Sequence, residues 1–382
     1  MNVFAAERGS ATRGIIEDVR HARALLPYLA TAAVIAAGST ALVLGTVEVA
    51  DLPGSASSDT TRAAPQLSTT GRLAYWRQNP AGAFVLWAAN LDGSSARPLT
   101  TLSANTSRPF GTRWTGDGRA VAYVTDLGIA VIRLDGSRVD LTLPAATRNA
   151  GFRVIDQRWS PSGTSVAATL YRSTDGRSEV HLGSLERRDL TRAGDLGNAF
   201  VADWLSDDEV LVESDSGMLG ALRAPGSLRK LVDQTAASPI IDGGRVLFLQ
   251  GAIASGDQTG IFVANPSVWS VGLDGKDARR ETRLEAAGNL RLDGRWPDGR
   301  YLMHIKGDAS QWFGSSRLTV LAPSSLFRRV VVSADGRSAV GLGGPRIVRI
   351  DLARGLTPTE GSFVVLLDGI VGADAWVRRG LP

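Results

Sequence analysis

The sequence predicts an all-β ring of repeated four-stranded sheets, a seven-bladed β-propeller, on three observations. The phrase RWTGDG at 113–118 returns as RWSPSG at 158–163, and Trp114, Trp159 and Trp204 stand 45 residues apart. A fixed period of this size marks one supersecondary unit copied along a chain. From Gly71 onward, short runs rich in β-branched and aromatic residues alternate with Gly and Asp-Gly turns, the composition of short strands and tight hairpins. The strand that opens each later unit is missing before the first unit and reappears as DAWVRRG at 374–380. A ring accounts for that offset, because a C-terminal strand that completes the first sheet leaves no open seam.

Taken in order, residues 1–23 are predicted as a short cytoplasmic segment carrying Arg8, Arg13, Arg20 and Arg23. Residues 24–47, ALLPYLATAAVIAAGSTALVLGTV, contain no charge; about 20 apolar residues cross a bilayer, so a transmembrane α-helix is predicted here. A signal peptide is the rival reading, but EVADLPGS after the span offers a poor cleavage site. The arginines before the span place the N-terminus in the cytoplasm and everything from Glu48 outside it. The expected location is a bacterial inner membrane, crossed once, with the propeller periplasmic. Ala33, Ala37, Ala41 and Gly45 recur every fourth residue, which gathers small side chains on one helix face and lets another helix approach in lipid. Residues 48–70, mostly Ser, Thr, Ala, Pro and Gly, read as a flexible linker.

Residues 71–382 hold the repeat. Second strands are predicted at LAYW (73–76), AVAYV (120–124), SVAAT (165–169), EVLVE (209–213), RVLFL (245–249), RYLMH (300–304) and SAVGL (338–342). Third strands are predicted to lead into the turns that follow, among them NLDGS (90–94), RLDGS (133–137), GLDGK (272–276) and VLAPS (320–324). Seven units of about 45 residues fill this length; six is the alternative count, and it requires residues 239–293 to be something other than a blade. Trp114, Trp159, Trp204, Trp296 and Trp376 are predicted to fill the wedges between sheets, with Phe110 and Phe200 packing beside them. Two connections between second and third strands look long: QGAIASGDQTG (250–260) and KGDASQWFGSS (306–316). They fall in successive units and are expected to be neighbouring loops on the face shared with the blade-joining loops. Trp312, Phe313, Gln311 and Asp308 are therefore candidate partner-binding residues, with Arg108, Arg148, Asn149 and Asn198 on the blade-joining loops beside them.

The composition narrows the chemistry. There is no cysteine, hence no disulfide, thiolate metal site or cysteine nucleophile. The three histidines, His21, His181 and His304, have no zinc-ligand spacing. No phosphate loop or calcium loop is present, so no cofactor and no metal is expected. A net charge of +4 over 382 residues, with scattered arginines, gives no nucleic-acid footprint. Only three of the 42 basic residues are lysine, a bias consistent with GC-rich bacterial coding.

RWSPSGTSVAATL (158–170) and RWTGDGRAVAYV (113–124) resemble the W-S-P-D-G phrase and apolar strand of TolB-type, WD-repeat-like β-propellers. The resemblance extends over nearly all of 71–382 and implies a fold, while a propeller hosts many activities. Some proteins with this fold carry a serine-peptidase domain, but no G-x-S-x-G elbow occurs in this sequence. The expectation is a non-catalytic, membrane-anchored extracytoplasmic scaffold subunit. Its expected partners are the lipid bilayer and other membrane protein subunits, met through the transmembrane helix and the propeller loops. One alternative is a sensor that binds a glycan or peptide on the ring face. Another is a propeller hydrolase or lyase; its densest acid cluster, Asp207, Asp208 and Glu209, falls on the opposite face.

Overall fold

The second strand of a repeat is apolar on both faces, so it is stable only between two other strands and between two neighbouring sheets. Residues 120–124 illustrate this, with every side chain from Ala120 to Val124 buried. The computed structural model describes residues 66–382 apart from 104–108, 224–225, 258–259, 286–287, 297–298, 307–310, 323–328, 334–336, 344, 352–362 and 378–382. The predicted span at 24–47, with Ala33, Ala37, Ala41 and Gly45, lies outside the described residues. Among the described residues, no helix is long and apolar enough to cross a membrane.

The first sheet contains β1 (Gly71–Gln78), β2 (Phe84–Asn90) and β3 (Arg97–Leu102). The second contains β4 (Phe110–Trp114), β5 (Ala120–Thr125), β6 (Gly128–Arg133) and β7 (Arg138–Thr142), followed by the short helix α1 (Ala145–Asn149). The third contains β8 (Arg153–Trp159), β9 (Ser165–Arg172), β10 (Arg177–Ser184) and β11 (Leu190–Arg192). The fourth contains β12 (Ala199–Trp204), β13 (Glu209–Ser214), β14 (Leu219–Arg223) and β15 (Ser227–Lys230). An eight-stranded sheet comes next. Its first half is β16 (Ala237–Asp242), β17 (Arg245–Asp257), β18 (Gly260–Gly272) and β19 (Arg279–Arg283). Its second half is β20 (Asn289–Arg295), β21 (Tyr301–Ile305), β22 (Gln311–Gly314) and β23 (Leu318–Ala322). The last sheet contains β24 (Arg329–Val332), β25 (Ser338–Gly343), β26 (Arg346–Asp351) and β27 (Phe363–Leu367). Strand β28 (Ile370–Val377) returns to the first sheet, which is ordered β28-β1-β2-β3.

Among the described residues the hydrogen-bonded sheets therefore number six, the alternative count, not seven. The correction comes from β17 and β18, each 13 residues long. Strand β18 outreaches its own four strands and pairs with β20, Val263 opposite Leu290 and Ala264 opposite Asn289. Residues 250–260 are thus mainly a continuation of this hairpin and not a loop. The 306–316 segment is corrected in the same way, because Gln311–Gly314 forms strand β22. Aromatic residues suit a strand, and pairing satisfies backbone groups that a loop tip would leave to solvent.

Ring closure follows the expected offset. Strand β28 runs antiparallel to β1, from Gly71 opposite Val377 to Arg77 opposite Ile370. Apolar layers fill the spaces between successive sheets. Trp76, Leu86, Trp114, Tyr123 and Ile132 lie between the first and second; Leu141, Phe152, Val154 and Leu170 between the second and third. Leu73, Tyr75, Val340, Ile347 and Ala375 seal the last sheet against the first. The recurrent tryptophans serve these layers. Trp114, Trp159, Trp204 and Trp296 are buried, and the Trp204 indole donates to the Arg158 carbonyl of the preceding sheet at 2.9 Å. Phe200 packs against the core of the eight-stranded sheet. Phe110 departs from expectation: it is 48% exposed, because a bulge after it turns the start of β4 outward.

Trp376 makes the closure specific. Its indole donates to the Gly116 carbonyl at 2.8 Å, and its ring packs on Gly118, where φ is +67°. A Cβ at position 118 would lie 2.5–2.7 Å from three ring atoms. Gly118→Ala therefore combines a left-handed backbone penalty of about 1–2 kcal/mol with a steric clash. The variant is expected to lose at least about 2 kcal/mol in denaturant unfolding; an unchanged midpoint would mean that the first and second sheets do not meet through Trp376.

Candidate functional site

The strands that open the sheets touch one another in succession: β28 with β4, β4 with β8, β8 with β12, β12 with β16, β16 with β20, and β24 with β28. These strands form the inner wall of the ring. Many carry a register shift, between Phe110 and Arg113 in β4, Val154 and Asp156 in β8, Val201 and Asp203 in β12, and Leu292 and Gly294 in β20. A bulge turns a side chain away from the regular alternation. Here Arg113, Asp156, Asp203 and Asp293 sit at or beside the shifts.

The result is a charged cluster drawn from several sheets. Asp156 accepts from Arg113 at 3.0 Å and from Arg158 at 2.8 Å. Arg158 Nε donates onward to the Ala202 carbonyl of the next sheet at 3.0 Å. Asp374 on β28, only 3% exposed, accepts from the Trp114 backbone N–H at 2.8 Å and from Arg329 on β24. Arg291 and Asp293 on β20 pair at 2.8 Å. The Arg329 guanidinium feels not only Asp374 but also Arg113, Arg158 and Asp156 on distant sheets. The hydrogen bonds of Asp156 to Arg113 and Arg158, and of Asp374 to the Trp114 N–H and Arg329, draw these groups together across the inner strands.

The electrostatics show which sign prevails. Burial raises the Asp156 pKa, but Arg158 and Arg113 outweigh it and hold the carboxyl below its usual value. Burial lowers the Arg113 pKa, but Asp156 and Asp374 outweigh it and hold that group above its usual value. For Arg329 the attraction of Asp374 is the largest influence, yet burial and repulsion from Arg113 and Arg158 together depress its pKa. Four guanidiniums (Arg113, Arg158, Arg291 and Arg329) share the inner strands with four aspartates (Asp156, Asp203, Asp293 and Asp374). The Arg113 Nε is buried without a hydrogen-bond partner among the described residues.

Glu213 lies beside this cluster, 7% exposed. Burial pushes its carboxyl up to about 7, against the pull of the Ser238 N–H, Arg291 and Arg158. Its hydrogen bond has an architectural counterpart. Glu213 accepts from the Ser238 N–H at 2.7 Å, and Thr169 accepts from the Val201 N–H at 2.9 Å. Each lies three residues beyond the strand partner of its own sheet's tryptophan, Val210 for Trp204 and Val166 for Trp159. Both tie the bulged first strand of the next sheet. Glu213 is an acid in a position where a hydroxyl does the same work.

Among the described residues, the candidates named from sequence fall on separate elements. Trp312 and Phe313 lie on β22, opposite Met303 and Leu302, and Gln311 is opposite His304, so none sits on a loop tip. Asp308 and Arg108 lie outside the described residues. Arg148 and Asn149 end the solvent-facing helix α1, which buries no residue. Asn198 is engaged within the fold: it accepts from the Ser178 N–H at 3.2 Å and donates to Asp215 at 2.9 Å. His181 is buried against Glu179 at 3.3 Å, and Glu179 is also paired with Arg177 and Arg192; this is a link between β10 and β11. Among the described residues, no group of three or more His, Asp or Glu side chains could hold a metal ion. The axial cluster does not stand out in the sequence, although Arg113 and Arg158 each stand immediately before a repeat tryptophan and Asp374 stands two before another. That alignment was the available signal.

No family model and no curated protein matches the chain. Solved structures do. Oligogalacturonate lyase from Vibrio parahaemolyticus aligns with 76% of this chain and 92% of its own, at 12% identity and a TM-score of 0.51. The chain is a β-propeller. TolB from Acinetobacter baumannii aligns with 80% of this chain at 17% identity and a TM-score of 0.42, and the alignment spans 66% of the TolB chain, just under two thirds. The β-propeller domain of the trilobed protease from Pyrococcus furiosus aligns with 79% of this chain and 96% of that domain, at 12% identity and a TM-score of 0.43. These likenesses concern fold.

Proposed function

We propose that this chain is a non-catalytic binding propeller, anchored in a bacterial inner membrane by residues 24–47, which holds an acidic segment of a partner membrane-complex subunit at its axis. The observation that supports the reading is the gathering of Arg113, Arg158, Arg291 and Arg329 on the inner strands, with one Arg113 N–H unpartnered. Arginine binds carboxylates through paired donors, and it does so best where solvent is partly excluded. The same cluster would suit an acidic glycan or peptide, and either would be recognised by the same groups.

Arg329 is the residue to test, because its side chain is 47% exposed and Asp374 keeps the Trp114 N–H without it. Full-length wild type and Arg329→Gln, isolated from native membranes in mild detergent, are expected to express alike. A stoichiometric partner should accompany the wild type and fall by about tenfold or more in the variant, with binding weakened by salt. Clean monomers from both, or equal partner recovery from both, would reject the proposal.

A further inference from the structure

A second cationic site lies away from the axis, where the chain enters the first sheet. A cavity of about 600 Å³ is lined there by Leu67, Ser68, Arg72, Arg97 and Leu134, among others. Arg72 is fixed in place: Nε donates to the Ser68 carbonyl at 2.6 Å, another N–H reaches the Gly118 carbonyl, and the guanidinium lies 5.5 Å over the Trp376 ring. Arg97, at the start of β3, differs. Its Nε is buried and has no hydrogen-bond partner among the described residues. Leaving a buried charged donor unpaired is costly, and a fold tolerates it best where a ligand completes the bond.

The local charge points the same way. Burial lowers the Arg72 pKa; Asp117 opposes this, while Arg97 and Arg119 add to it. Arg72 and Arg97 are the charged residues among those lining the cavity, and Arg119 lies beside Asp117 at 3.9 Å. A phosphate group supplies several acceptor oxygens and up to two negative charges, which suits guanidinium groups converging from different strands. The cavity exceeds a bare phosphate, and Leu67 and Leu134 add apolar wall, so the ligand carries more than the anion. We propose that this cavity binds the phosphate group of a phosphate ester, with Arg97 and Arg72 as its donors. The inference is independent of the axial site. Two sources share the chemistry. Residue 66 follows the predicted membrane span by fewer than 20 positions, which favours a phospholipid headgroup; a soluble phosphate monoester is the other.

The test titrates the full-length chain by calorimetry with three probes: inorganic phosphate, glycerol 3-phosphate, and dihexanoyl phosphatidylglycerol below its micelle concentration. Wild type is compared with Arg97→Gln and Arg329→Gln. Wild type and Arg329→Gln are expected to bind at least one ester more tightly than inorganic phosphate, and Arg97→Gln to bind it at least about tenfold more weakly. Tighter binding of the diester assigns the lipid headgroup, and tighter binding of the monoester assigns a soluble ligand. Without ligand, Arg97→Gln should melt at or above the wild-type temperature, since it removes an unpartnered donor and a like charge near Arg72. The proposal is overturned if no ester binds the wild type, or if Arg97→Gln binds as wild type does. It is also overturned if binding is lost in Arg329→Gln but kept in Arg97→Gln, or if Arg97→Gln simply melts lower with affinity unchanged.

Discussion

Replacing Trp76 with alanine is expected to cost about 3–5 kcal/mol, the range for deleting a fully buried large aromatic side chain. Trp76 is 0% exposed. Its ring meets Tyr123 of the second sheet edge-on at 5.0 Å, and its indole donates to the Thr112 hydroxyl at 3.2 Å. Alanine removes the filling of the wedge beside the closing sheet and leaves that hydroxyl without its donor. Total stabilities of about 5–15 kcal/mol leave little margin for such a loss. Trp76→Phe keeps most of the volume and should cost less. Denaturant midpoints at constant slope are the measurement. A Trp76→Ala protein within about 1 kcal/mol of wild type would show that this wedge is not packed as described.

The second large effect concerns pH. Glu213 titrates at about 7 in the folded chain against 4.5 for the ordinary side chain. Between those values the folded state binds the extra proton. Stability then falls as pH rises through this window, and above it the charged carboxylate is a burden. The loss amounts to at most about 3–4 kcal/mol, since each pKa unit corresponds to about 1.36 kcal/mol. Glu213→Gln keeps an acceptor for the Ser238 N–H and cannot ionise. The variant should match wild type near about pH 4.5, exceed it above about pH 7, and show a flatter profile between. Parallel profiles for the two proteins across that range would refute the assignment of Glu213 as a buried, half-protonated acid.

The legible part of the fold was local. Runs such as AVAYV and SVAAT are strands wherever they are placed, because their residues favour extended backbone and need burial on both faces. The W-T-G-D-G and W-S-P-S-G turns fix hairpins over a few residues, and the displaced DAWV strand betrayed closure. Strand length was harder. ASGD in β17 and the QWFG of β22 read as loop because Gly, Ser and Asp break the apolar pattern. They are strands because a partner lies alongside them. The axial cluster was less legible still, since Arg113, Asp156, Arg329 and Asp374 are far apart in the chain and each alone resembles an ordinary exposed charge.

The amino-acid order alone therefore determined the repeat, its antiparallel hairpins, the buried tryptophans and the pairing of β28 with β1. These follow from side-chain propensity and period, which act over a few residues or recur at a fixed interval. Only the tertiary structure decided how the strands divide into sheets, that Asn198 is spent on the fold, and which charges share an axis. Those depend on the distance between groups remote in sequence, and electrostatic and hydrogen-bond energies are set by that distance and by burial.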